Sequence, residues 1–102
     1  MTDRPKNPGP DYYALADGRQ FYEYQREVIV PLTSGLSVWD AHCVLIASEH
    51  FFRAGAKEGE TVTDFQAISF WVAMATEEPD YAVEVWDIVV RHVADERKAV
   101  GR

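Results

Sequence analysis

Apolar and polar positions along the chain fall into four stretches divided by short polar or glycine-bearing turns. The last is the clearest. Ala82, Val85, Trp86, Val89, Val90 and Val93 recur at helical spacing, with Glu84, Asp87, Arg91 and Asp95 on the opposite side. Thr76-Glu77-Glu78-Pro79 opens it with acids and a proline, which suit a first turn whose N–H groups are free. The pattern predicts a helix over 78–97. Upstream, Trp39, Cys43, Ile46, His50 and Phe51 repeat at the same period, with Ala47 and Ala54 beside them. Ser37 stands three residues before Asp40, a capping box in its aspartate form, and Gly55 is placed to end the helix. A helix over 38–54 follows, the most apolar and therefore central. Phe65, Ile68, Val72 and Ala75 mark a third buried stripe, flanked by Trp71, for a helix over 62–75. Its cap is Thr61, which reaches Asp64, or Thr63, which reaches Gln66.

The first stretch, Arg19 to Val30, fits a helix better than a strand, because Phe21, Tyr22, Tyr24, Gln25 and Val28 form a broad apolar side. Its β-branched end, Val28-Ile29-Val30, keeps a strand open, and Pro31 is expected to end either element. Residues 1–10 hold three of the five prolines and are expected to be a disordered lead-in. Short connections favour antiparallel neighbours. The expected fold is all-α, a small antiparallel bundle of three to four helices forming a single domain over 11–102.

Composition narrows the class. With 102 residues and 47% hydrophobic content, one small core is affordable. No apolar run approaches the roughly 20 residues of a membrane span, and no signal-peptide core is seen at the start, so a cytoplasmic location is expected. The single Cys43 rules out an internal disulfide framework and reads as a buried inert thiol. A formal charge of −7 argues against direct nucleic-acid binding, which needs a basic face. It leaves open a nucleic-acid mimic or a partner for a basic protein surface, and it also serves solubility.

Against that acidity, Arg53 and Lys57 are the only Arg or Lys residues between Asp40 and Asp87. They sit in Phe51-Phe52-Arg53-Ala54-Gly55-Ala56-Lys57-Glu58-Gly59, a basic turn between two predicted helices. Such a turn can hold an anion: Gly55 lets backbone approach, Arg53 and Lys57 supply charge, and free amides near Thr61 and Thr63 open the next helix. The plainer alternative is that both cations neutralise the carbonyl end of the preceding helix. Other chemistries find less. A Walker loop is excluded, since no Gly-Lys-Ser/Thr occurs. Glu84-x-x-Asp87 would serve as one carboxylate pair of an all-α pyrophosphohydrolase, but no Glu-x-x-Glu precedes it. His42, Glu49 and His50 span two helical turns, about 11 Å of rise, too far for one metal ion. No metal site is expected there, and His50 reads as a packed or hydrogen-bonded histidine.

Tyr12-Tyr13, Gly18-x-Gln20-x-Tyr22-Glu23, a long helix, Arg53-Ala54-Gly55-x-Lys57 and a downstream Asp64 together resemble the small phage-encoded SaV-like domain family. The family is mostly of unknown function; some members are called phage nucleotide kinases, including a relative that phosphorylates deoxynucleoside monophosphates without a Walker loop. The resemblance covers about residues 11 to 73. Tyr13, Gly18, Arg53, Ala54, Gly55, Lys57 and Asp64 match the family pattern, while Glu49 and Ala67 replace two of its lysines. It implies a nucleotide or phosphorylated small molecule held by Arg53, Lys57, Gly55, Thr61 and Thr63. Tyr13 or Tyr22 would stack the base, and Glu23 and Asp64 would orient ribose, base or Mg²⁺ if phosphoryl transfer occurs. The missing lysines favour binding over transfer. The alternative is an acidic interaction module that inhibits a host or defence factor.

Self-association, most simply as a homodimer, is also expected. With 13% aromatic residues in so short a chain, some rings should face outward, Trp71 and one of Phe51 and Phe52 among them.

Overall fold

The computed structural model describes residues 11–102; the lead-in expected over 1–10 lies outside the described residues. Among the described residues the fold is all-α, with four helices and no strand. The first, α1, runs through Phe21–Tyr24, a π-helical turn Gln25–Ile29 and Val30–Leu32. The others are α2, Val38–Arg53; α3, Thr61–Met74; and α4, Pro79–Ala99.

The segment ahead of α1 is a closed loop. Ala14 and Gln20 form an isolated antiparallel bridge around Gly18, whose φ of 89° only glycine adopts readily. Glu23 then turns back on the helix start, its carboxylate accepting from the Gln20 N–H at 2.9 Å. The stretch open to a strand reading is therefore helical, and Pro31 does not end it. Proline lacks the N–H that would bond four residues back, and its ring would press on that carbonyl. The wide turn just before it, in which Val30 N–H bonds to Gln25 C=O, lets the helix run on to Leu32.

Helix α2 is the centre of the bundle. Cys43, Val44, Ala47 and Phe52 are fully buried on it, Phe52 stacking on Phe21 of α1 at 4.6 Å between ring centres. Burial pushes the Cys43 thiol above its ordinary pKa, as an inert core cysteine requires. Helix α4 meets α2 along Ala82, Val85, Val89 and Val93, all buried, while Glu84, Asp87, Arg91 and Asp95 face solvent as predicted.

Two polar devices tie α2 to α4. At the start of α2, Ser37 Oγ accepts from the Asp40 N–H at 3.1 Å, so the predicted N-cap holds. Asp40 does not return the bond. Its buried carboxylate instead accepts from the N–H groups of Glu77 and Glu78, at 3.2 and 2.8 Å, and so caps α4. At the other end, Arg97 donates to the carbonyls of Phe51, Phe52 and Ala54, and Arg102 to that of Phe52. Their guanidiniums lie over the rings of Phe51 and Phe52. The carbonyl end of α2 is thus neutralised by Arg97 and Arg102 from the chain's last residues. Of the two cations that the plainer alternative assigned to this role, Arg53 does stand in the last turn of α2 but directs its hydrogen bonds to Asp64 and Tyr13, and Lys57 pairs with Glu60.

Helix α3 departs most from its predicted phase. Of the expected stripe only Ala75, just past its end, is buried; Phe65 is 46% exposed, and Ile68 and Val72 are half-buried. The one buried residue inside the helix is Asp64. Apolar residues occur nearly all round α3, so their periodicity carries no phase. The orientation is set by the charge.

Candidate functional site: a buried clamp and an open apolar face

Asp64, 1% exposed, projects from the first turn of α3 towards the last turn of α2. There Arg53 and His50, three residues apart on one face, converge on it. Arg53 Nε lies 3.2 and 3.3 Å from the two Asp64 oxygens, and Arg53 Nη2 donates to Oδ1. His50 Nδ1 is 3.0 Å from the same oxygen, and because an ionised carboxylate only accepts, that nitrogen carries its proton. The remaining Arg53 nitrogen, Nη1, donates to the Tyr13 hydroxyl at 3.3 Å. Burial by itself would raise the Asp64 pKa. The hydrogen bonds from Arg53 and His50, with the positive charge of Arg53, outweigh it and hold the carboxyl below its ordinary value. The bond to Asp64 raises that of Arg53 in turn. A bidentate, charge-assisted pair supported by a histidine is a structural clamp that sets how α3 lies on α2.

The loop between them holds the second cation. Gly55 follows the α2 C-cap with φ of 86°, as predicted for a left-handed helix end. Lys57 pairs with Glu60 at 2.8 Å, its side chain 44% exposed, and Glu60 also approaches Arg53 at 3.8 Å. Glu60 is the N-cap of α3, and no side chain caps it, so neither Thr61 nor Thr63 serves as cap; Thr63 is exposed.

The structure therefore brings Tyr13, Arg53 and Asp64 together, with Lys57 close by in sequence on the Glu60 side. It assigns them differently from the phosphate-site expectation. That expectation needed Arg53 free, and the guanidinium is instead engaged by Asp64 and Tyr13; Asp64 is likewise consumed. Glu23 is occupied in the cap of α1. Tyr22 lies on α1, 60% exposed, and Tyr13 is 37% exposed. Among the described residues no group of three His, Cys, Asp or Glu side chains could hold a metal ion. The expected reading of His50 as hydrogen-bonded is met in its bond to Asp64. His42 packs edge-on to Trp71 at 5.9 Å.

The second feature is apolar. On the side of α3 away from α2, Val62 is 69% exposed, Phe65 46%, Phe70 55% and Met74 36%. Between α3 and α4 runs a groove of about 460 Å³, walled by Ile68, Val72, Ala73, Pro79, Val83 and Trp86. A second hollow of about 510 Å³ lies between Pro31, Leu36, Val38, His42 and Leu45. Arg53 and Lys57 line neither. The rings expected to face outward are partly covered: Phe51 by Arg97 and Trp86, Trp71 by Trp39, His42 and Phe70. Phe65 and Phe70 are exposed instead.

Sequence reasoning missed Asp40, Arg97 and Arg102 as caps, and this open face. Asp64 carried a usable signal, as the lone charge among the fourteen residues of α3. A lone charge in so apolar a helix belongs either in water or on a partner, and Arg53 and His50 stood within reach.

Comparison with protein-family models, with curated proteins and with solved structures finds no match to the chain. The SaV-like resemblance thus rests on its own residues. No helix among the described residues is long and apolar enough to cross a membrane.

Proposed function

We propose that this chain is a protein-interaction module that works through the outer face of α3 and the groove beside it. The observation that carries the reading is α3 itself. Its only charge is buried, while Val62, Phe65, Phe70 and Met74 stand exposed around Gln66 and Ser69. A helix apolar all round belongs in an interior. Here one side rests on α2, so the other side supports a surface supplied from outside the chain.

A second reading keeps the resemblance: a nucleotide or other phosphorylated small molecule on the loop 55–59. Among the described residues the backbone N–H groups of Lys57, Glu58 and Gly59 meet no hydrogen-bond acceptor, and Lys57 is held only by an exposed ion pair of little strength. Free amides beside a cation favour an anion. Glu58 and Glu60 in the same loop oppose one, and for that reason the apolar face is preferred.

The test places a photo-crosslinking phenylalanine analogue at position 70, and at position 95 as a control, in cells producing the full chain. Adducts to protein at 70 and none at 95 are expected. No adduct at 70, together with thermal stabilisation of the purified chain by nucleoside phosphates, would replace this reading with the second.

A further inference from the structure

Resting on the interaction reading, we infer that the surface covering α3 is a second copy of this chain, packed across a two-fold axis near Gln66 and Ser69. Three observations carry it.

Charge selects the occupant. The chain carries −7, yet the outer face of α3 presents no charge, because Asp64 is turned inward onto Arg53. A basic protein or peptide would be recognised by exposed carboxylates, and this face offers none. Two copies of a strongly acidic chain repel unless they meet where the charge is absent, and α3 is such a place.

The face is also self-complementary. Helical spacing puts Val62, Gln66, Ser69 and Ala73 along its centre line, with Phe65 on one flank and Phe70 on the other. Across a two-fold axis each of these meets its own kind or its neighbour. A carboxamide both donates and accepts, so Gln66 of one copy can satisfy Gln66 or Ser69 of the next. Phe65 lies on the same flank of α3 as the groove lined by Ile68, Val72 and Trp86. When two helices cross antiparallel, like flanks face one another. Each Phe65 ring then enters the groove of the other copy, and every ring and groove is used once.

The area is of the right order. Half-exposed phenylalanines present roughly 100 Å² each. With Val62, Met74 and Val83, the patch reaches about 400–500 Å², near the upper limit a monomer ordinarily leaves uncovered. The polar residues between them and the groove walls bring it towards the about 800 Å² per partner of a stable pair.

Sedimentation equilibrium of the full chain from about 1 to about 200 µM tests this by mass action. The expected result is a mass rising towards twice the 11.6 kDa of one chain. Phe65→Asp, whose side chain is half exposed and so leaves the fold intact by circular dichroism, should keep the mass at one chain throughout. Gln66→Cys should form an intermolecular disulfide under mild oxidation, while Glu84→Cys should not; Cys43 is fully buried and silent. A mass of one chain at every concentration overturns the inference, as does a pair that survives Phe65→Asp. If position 70 nevertheless captures a different protein, the interaction reading stands and only the second copy is lost.

Discussion

Helices α3 and α4 both lie against α2, and they are built in opposite ways. On α4 the buried line is Ala82, Val85, Val89 and Val93, and the charges Glu84, Asp87, Arg91 and Asp95 face solvent. On α3 the buried residue is an aspartate, and the exposed ones include Val62, Phe65, Phe70 and Met74. An amphipathic helix such as α4 finds the partner for its main apolar line inside the chain. A helix apolar on both sides needs a second one, and its rotation must be fixed by something other than burial. In this molecule that is the Asp64 carboxylate seated between Arg53 and His50.

The largest expected effect comes from breaking that seat. Arg53→Ala leaves the buried Asp64 with His50 alone and should cost about 3 kcal/mol of unfolding free energy. Arg53→Lys keeps the charge but not the fork, and should lie between the variant and the parent. On α4, Glu84→Ala should change stability by no more than about 0.5 kcal/mol. Urea unfolding of the three variants makes the comparison. A loss below about 1 kcal/mol for Arg53→Ala would mean that the ion pair does not orient α3.

A smaller effect separates the two helices by pH. The Asp64 carboxyl titrates below its ordinary 3.8 in the folded chain, so its contribution is complete above that value. The contribution falls as pH drops below about 4 and is gone once the folded pKa is passed. Asp64→Asn removes this dependence. The stability gap between parent and variant should therefore be constant above about pH 5 and shrink as pH falls towards 2. A gap unchanged across that range would show that the carboxylate's charge is not what holds α3.

The same contrast explains what was legible in the sequence. α4 was readable because its buried line and its charges fall on opposite sides, even with Tyr81, Val83 and Ile88 exposed, so period and phase come together. On α2 the ends were readable from Ser37 and Gly55, which act on their own helix. The use of Asp40 was not, because its carboxylate leaves α2 to cap α4, and local spacing describes only local bonds. For the same reason Arg97 and Arg102 gave no sign that they would cap α2, over forty residues away in the chain. In α3 the helix was legible and its rotation was not. As for the candidate site, the sequence singled out Arg53, Lys57, Gly55, Thr61, Thr63, Tyr13, Tyr22, Glu23 and Asp64, and of these hydrogen bonds join Tyr13, Arg53 and Asp64. Sequence could not tell whether Arg53 would face a ligand or Asp64, since both readings need the same residues. Burial of Asp64 to 1% exposure decides for the clamp.

The smallest effect sharpens the comparison most, because it uses one residue type on both helices. Val89 on α4 is 0% exposed and Val62 on α3 is 69% exposed. Val89→Ala opens a cavity in the core and should cost about 2 kcal/mol at any protein concentration. Val62→Ala removes a side chain that packs on little within the chain, and alanine is the better helix former by about 0.5 kcal/mol. At low concentration its effect should be neutral or slightly stabilising. At high concentration, where a second copy would cover α3, the lost contact should reappear as a destabilisation that grows with protein concentration. Thermal unfolding of both variants across a hundredfold dilution, on the order of 1 to 100 µM, reads this directly. A concentration-independent cost for Val62→Ala as large as that for Val89→Ala would place Val62 in the interior of a single chain, and the contrast between the two helices would fail.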